Sequence, residues 1–320
     1  MYKVGMVGAG NITKAYYRAF KKFEDIIEVK AVCDKLLDRA ESYAKTYKAA
    51  VYPDYNEMAQ KEDLDIAIIC LPHGLHADAA ETFAAKGVNI LIEKPMANTV
   101  EECDRIIRLA KRNNVKLMIG HLQRYFSYNK QIKKIIDSGE LGELVMITDR
   151  RTVNYFTEER PKWFLDKKLA GGGIVMNYGA HSLDKICWLT GRDVEDISGH
   201  MSQHIPGISV EGDAQILLRL EGGLTALIAY AGYKLPYCNE LNIFFTKGTI
   251  RSDSKNVWVS SCGGDYRLLE PEGESDPFVP MIDDFIKSIK DGSEVAVGGE
   301  YGKRIIQIIE KFYALQKSGK

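Results

Sequence analysis

Nothing in this chain of 320 residues approaches 18 consecutive apolar residues, so no membrane-spanning helix is expected. An excess of either charge is also missing. Lys and Arg number 43 against 44 Asp and Glu, and the net charge of -1 supplies no basic field for nucleic acid or an anionic membrane. Cysteine is scarce and scattered: Cys33, Cys70, Cys103, Cys187, Cys238 and Cys262 form no C-x-x-C pair and none lies at metal-ligand spacing from a histidine. They read as reduced, mostly buried small side chains. His73 and His76 stand three apart with no set of carboxylates or cysteines nearby, which reads as a loop and helix start, so no metal site is expected. The chain opens into an apolar run without a signal-like segment, the pattern of a cytoplasmic protein. There is no internal repeat and no low-complexity linker.

What is present at the N-terminus is Val4-Gly5-Met6-Val7-Gly8-Ala9-Gly10-Asn11-Ile12-Thr13, an apolar strand that turns on glycines into a helical pattern. Gly8 permits the tight turn, and Gly10, lacking a Cβ, lets a pyrophosphate reach the amides of Asn11 and Ile12 at the positive end of the next helix. The third fingerprint position is Thr13, giving G-x-G-x-x-T in place of the usual Gly or Ala. A second strand ends in Asp34, 24 residues after Gly10, where an acid accepts hydrogen bonds from an adenosine ribose or caps the helix starting near Leu36. An acid there repels a 2′-phosphate and favours NAD, while Lys35 and Arg39 keep NADP possible.

Continuous apolar runs at 65–71, 88–92 and 115–119 alternate with helical patterns, among them the capping box Thr99-Val100-Glu101-Glu102. This alternation predicts a Rossmann-type, doubly wound parallel sheet over residues 1–122. Beyond residue 144 the pattern shifts to short alternating strands and glycine turns at Glu221-Gly222-Gly223, Lys247-Gly248 and Cys262-Gly263-Gly264. Helices are expected near 127–137, 178–189, 281–290 and 302–316. Residues 123–320 therefore read as an α+β domain with a largely antiparallel sheet, and the whole as an α/β protein. An apolar strand such as Leu241-Asn242-Ile243-Phe244-Phe245 suggests a sheet face buried in a homodimer or homotetramer.

Two further stretches carry chemistry. Glu93-Lys94-Pro95 ends a buried strand at the sheet edge where ligands bind, and Gly171-Gly172-Gly173 leads through Asn177 to His181 and Asp184. With the N-terminal fingerprint, and with Gly120 and the segment at Arg124, these motifs resemble the glucose-fructose oxidoreductase / inositol dehydrogenase (Gfo/Idh/MocA) family along essentially the whole chain. The resemblance implies a nicotinamide cofactor on the first domain and a sugar, polyol or related hydroxylated substrate between it and the second. It places the family's E-K-P lysine at Lys94 and its histidine at His181. Many members carry an aspartate four residues before that histidine, where this chain has Asn177.

Oxidising a secondary alcohol requires taking its hydroxyl proton as hydride leaves, and the reverse needs a proton donor. A lysine, with a reference pKa of about 10.4, does this near neutral pH only when desolvated and beside a cation, whereas histidine starts near 6.5. Either Lys94 or His181 is then the proton-transfer group, the other holding the hydroxyl. Asn177 orients a hydroxyl but takes no proton. Arg124, Tyr155 and Trp163 are candidates to line a sugar site, with core or surface packing the alternative for each. Besides an NAD(P)-dependent dehydrogenase, two readings remain: a redox-neutral glycosidase that uses NAD transiently, and a nicotinamide-binding sensor.

Overall fold

The computed structural model describes residues 1–318. Strands and helices alternate first: β1 (Tyr2–Val7), α1 (Thr13–Phe20), β2 (Ile27–Cys33), α2 (Leu37–Tyr47), β3 (Ala50–Tyr52), α3 (Tyr55–Lys61), β4 (Ile66–Ile69), α4 (His76–Ala84), β5 (Asn89–Glu93), α5 (Val100–Arg112) and β6 (Leu117–Gly120). They form a six-stranded parallel sheet in the order β3-β2-β1-β4-β5-β6. All four residues of β4 are buried, which explains its unbroken apolar sequence: helices cover both faces. Strand order reverses between β1 and β4, opening a ligand crevice at their C-terminal ends. The capping box forms as read: the Thr99 hydroxyl accepts from Glu102 N, and the Glu102 carboxylate accepts from Thr99 N. Pro53 follows a short edge strand that propensity had not marked, and Asp54 then caps α3, its Oδ1 accepting from Asn56 N at 2.7 Å.

The chain continues with α6 (Ser127–Ser138), β7 (Leu144–Thr152), α7 (Lys167–Ala170) and α8 (Ala180–Thr190). Then come β8 (Val194–Ser202), β9 (Asp213–Leu220), β10 (Thr225–Ala231), β11 (Cys238–Phe245), β12 (Gly248–Ser252), β13 (Val257–Ser261) and β14 (Arg267–Leu268). The sheet order is β14-β13-β12-β11-β7-β10-β9-β8, antiparallel except that β10 pairs parallel to β7. The long helical connection after β7 makes that parallel return possible. Along β9, Ala214, Ile216, Leu218 and Leu220 are buried while Gln215, Leu217 and Arg219 face outward, the period-2 signature of a sheet covered on one face.

Helices α9 (Phe278–Asp291) and α10 (Gly299–Ser318) close the chain. The domain division expected at 122/123 needs one correction. Asp276–Ile306 belongs to the first compact unit, with Met1–His121, and the second consists of Leu122–Ser275 and the chain from Gln307 onward. The return is held by packing within the first unit. Phe278 meets the Tyr16 ring edge-on at 4.9 Å, Arg18 pairs with Asp276 at 2.6 Å, and Ile119 N donates to Val297 O at 2.9 Å. Local periodicity marks α9 as a helix but carries no information about which core it joins. Among the described residues no helix is long and apolar enough to cross a membrane.

Candidate active site

In the first unit the glycine turn is built from its neighbours outward. Gly8 has φ +106°, and a Cβ there would stand 2.5 Å from the carbonyl oxygen of Cys70 at the end of β4. A side chain is therefore excluded both by the backbone angle and by the adjacent strand. The Thr13 hydroxyl donates to Gly8 O at 2.9 Å, so the departure from Gly or Ala at this position closes the turn on itself. Ala9 N donates to Asp34 Oδ2 at 2.8 Å and Leu36 N to Asp34 Oδ1 at 2.9 Å. Asp34 thus braces the glycine turn against the start of α2 instead of capping that helix, whose N-cap is Leu36. Each carboxylate oxygen keeps acceptor capacity for a ribose hydroxyl.

A dinucleotide fits this cradle. Space is open where a Gly10 Cβ would stand, Asn11 and Ile12 are exposed, and their amides precede the first helical bond, Thr13 N to Gly10 O. Tyr43 OH donates to Gly10 O at 3.3 Å from α2, a contact the sequence did not signal.

Glu93 and Lys94 stand at the C-terminal end of β5, beside β4 on the same sheet edge. The Glu93 carboxylate is buried, accepting from Tyr16 OH at 2.7 Å and from Lys94 N at 3.2 Å. Gly120 at the end of β6 makes room for it, since a Cβ there would sit 3.1 Å from Glu93 Oε1. Burial raises the Glu93 pKa, opposed by the Tyr16 hydrogen bond and the Lys94 charge. Glu93, which the sequence places on the ligand-binding sheet edge beside the cofactor, here forms the internal brace of the Lys94 turn. His76 supplies the other brace. Its Nε2 lies 2.9 Å from Leu71 O and its Nδ1 3.1 Å from Pro95 O, so the ring sits between the ends of β4 and β5 and, when neutral, donates to one of the two carbonyls. Burial lowers the His76 pKa.

In the second unit, the glycine run is threaded through backbone. A Cβ on Gly172 would overlap the Tyr313 hydroxyl, and one on Gly173 the carbonyl of Glu211. Glu211 gathers the segment: its Oε1 accepts from Gly173 N at 2.8 Å, Val175 N at 3.0 Å and Tyr313 OH at 2.7 Å. The chain then takes a wider π-helical turn over Val175–Gly179 before α8, earlier than the helix start expected at 178. Such turns are frequent at functional sites. Asn177 is buried on it, and the Tyr155 hydroxyl lies beside Asn177. His181 Nδ1 is 3.4 Å from Gln123 Nε2, and one turn further along α8 Arg124 pairs with fully buried Asp184 at 3.5 Å. Lys185 pairs with buried Asp149 at 3.0 Å, and burial lowers the Lys185 pKa against the opposing pull of Asp149.

Tyr155 has no exposed face for sugar stacking. Its ring lies under the Arg160 guanidinium at 4.1 Å, and burial raises its pKa. Trp163 stacks on Phe164 at 3.7 Å, and Arg160 also covers Phe164, so contacts run from Trp163 to Asn177 through this cluster. Sequence reasoning missed Gln123, Glu211, Tyr313, Tyr16 and the bracing role of His76. Each acts on a residue distant in the chain, which no local pattern encodes.

Two family models match: the oxidoreductase family, NAD-binding Rossmann fold, over residues 2–121, and the GFO/IDH/MocA C-terminal domain over 129–251. A 1-carboxy-3-chloro-3,4-dihydroxycyclohexa-1,5-diene dehydrogenase of Comamonas testosteroni is 28% identical over 94% of this chain and 71% of its own. The myo-inositol 2-dehydrogenase of Thermotoga maritima is 26% identical over 99% of this chain and 96% of its own. The aldose-aldose oxidoreductase of Caulobacter crescentus, solved with glycerol, shares the fold with a TM-score of 0.90 at 24% identity, covering 100% of this chain and 98% of that one. With its glycine cradle, E-K-P turn and glycine-run-to-histidine segment, the chain belongs to the Gfo/Idh/MocA family of NAD-binding oxidoreductases.

Proposed function

We propose that this chain is a cytoplasmic NAD-dependent dehydrogenase or reductase that acts on a secondary alcohol or the matching carbonyl of a sugar, polyol or related hydroxylated compound. One observation carries the reading. The strand-edge cradle that only glycine fits at Gly8 lies on the same sheet edge as the doubly braced turn bearing Lys94. The named relatives that act on inositol and other polyhydroxylated rings support the substrate class.

Gly10, Asn11 and Ile12 hold the pyrophosphate through their amides, and Asp34 receives a ribose hydroxyl while disfavouring a 2′-phosphate. The nicotinamide, when bound, accepts or supplies the hydride. Lys94 Nζ takes the hydroxyl proton in oxidation and returns it in reduction, assistance worth about 10²- to 10⁴-fold. His181 holds the substrate oxygen. Asn177 and Arg124 orient neighbouring hydroxyls through amide and guanidinium donors. Trp163 contributes an apolar face to the sugar ring.

The outer face of the eight-stranded sheet is the self-association surface in this reading. Leu217, Leu227 and Met146 are each more than 40% exposed there, and Leu217 stands opposite Leu227 in register. A strict monomer by light scattering at micromolar concentration contradicts the homo-oligomer.

The functional test is a spectrophotometric panel of inositols, aldoses and small diols with NAD or NADP. Reduced nicotinamide accumulating with at least one cyclic polyol or sugar supports the reading. Tight NADH binding with no oxidation of any compound on the panel contradicts it and favours a redox-neutral or sensory role.

A further inference from the structure

The geometry points to Gln123 as the residue that fixes the tautomer of His181, holding the imidazole neutral with its proton on Nε2. The inference rests on the proposed role of His181 in the dehydrogenase and deepens it. The backbone carbonyl of Gln123 only accepts. It lies 2.8 Å from the fully buried Asn129 side chain, so the atom facing it is Asn129 Nδ2, a donor. The same Nδ2 stands 3.2 Å from the Gln123 side-chain amide and must meet oxygen there, which makes that atom Oε1. The other end of the Gln123 amide is then the NH₂ group, and it points at His181 Nδ1 from 3.4 Å.

A donor facing Nδ1 requires a lone pair on Nδ1. The Nδ1–H tautomer and the imidazolium both put a hydrogen against the hydrogens of the Gln123 amide. Gln123 and Asn129 are both buried, with little freedom to swing the amide away. The polarity of one backbone carbonyl is thus relayed through two amides to the imidazole.

The chemical consequence is a division of labour. With its proton on Nε2, His181 offers a hydrogen there, so it donates to a substrate hydroxyl or carbonyl oxygen and does not remove the hydroxyl proton. Removal falls to Lys94, which narrows the choice between Lys94 and His181 that the residues alone left open. Gln123 is a positioning residue: it acts through His181.

The test is nitrogen NMR of the full chain with ¹⁵N-labelled histidine, recorded without substrate or nicotinamide near neutral pH, the His181 ring signals being assigned by their loss in H181N. The expected spectrum has a pyrrole-type signal at Nε2 and a pyridine-type signal at Nδ1. A protonated Nδ1, in the other neutral tautomer or as imidazolium, overturns the inference. In Gln123→Glu a carboxylate replaces the donor, and the proton should appear on Nδ1. Retention of the wild-type pattern in folded Q123E also overturns it. Because nothing is turned over in this measurement, a wrong tautomer sinks this inference alone. A correct tautomer in a protein that oxidises no polyol sinks only the substrate reading.

Discussion

Replacing Glu211 by Leu should unfasten the segment that delivers Asn177 and His181. One oxygen, Oε1, receives three hydrogen bonds, from Gly173 N, Val175 N and Tyr313 OH, and all are lost in E211L. A buried donor left unsatisfied costs about 1–3 kcal/mol. The two amides are fixed in place, so they set the cost at about 2–6 kcal/mol, and the added apolar burial of Leu offsets about 1–2 kcal/mol of it. The midpoints of these two ranges leave a net loss of about 2.5 kcal/mol. E211Q keeps an acceptor but turns charge-assisted bonds into neutral ones, and Y313F removes one bond, so each should cost about 1–2 kcal/mol. Urea unfolding followed by tryptophan fluorescence reads this selectively, since Trp163, Trp188 and Trp258 all lie in the second unit. NADH affinity, set in the first unit, should hold in E211Q while kcat falls. An E211L protein within about 0.5 kcal/mol of wild type would refute the reasoning, since that is the scatter of an ordinary surface substitution.

Gly8→Ala forces a Cβ against Cys70 O at φ +106°, strain of about 1–3 kcal/mol; if that strain falls on the bound cradle, titration calorimetry should show NADH binding weakened about 5- to 150-fold, and an unchanged Kd contradicts the cradle. For His76, burial depresses the folded pKa below 6.5, so its contribution is complete above pH 6.5 and is lost as pH falls, by at most about 1.4 kcal/mol per pH unit. The stability gap between wild type and H76Q should therefore narrow between about pH 7.5 and about pH 5.5 in thermal melts, and a constant gap argues against it. Lys185→Met leaves buried Asp149 without its cation and should cost about 3–5 kcal/mol, much of it recovered in K185M/D149L; a double variant no more stable than K185M contradicts the pairing.

The parts of this architecture that are local in the chain are the parts its sequence declares. Apolar runs such as Ile66–Ile69 announce buried parallel strands because both faces are covered, and Thr99 with Glu102 announces the start of α5 because a capping box is only four residues long. Strand β3 escaped because three residues before a proline carry too little pattern. The alternation in β7 and β10 marks strands but not partners, so their parallel pairing could not be read. The return of Asp276–Ile306 to the first unit depends on contacts such as Tyr16 with Phe278, over 260 residues apart. The same holds at the site. Gly8, Lys94 and His181 stand in motifs, whereas Glu211, His76 and Gln123 act through space on segments 36 to 58 residues away or, for His76, on the turn 19 residues on. The local sequence admits Tyr155 as a sugar-lining aromatic, but its ring is fully buried, because exposure of an aromatic in a polar stretch is decided by tertiary packing.

The most direct test of the account compares wild type with Lys94→Met on the best compound of the polyol panel, measuring kcat and NADH affinity together. The account predicts that kcat falls by at least about 100-fold while NADH still binds, because Lys94 moves the hydroxyl proton and the cradle at Gly8 holds the cofactor. A K94M protein that turns over at the wild-type rate would contradict it.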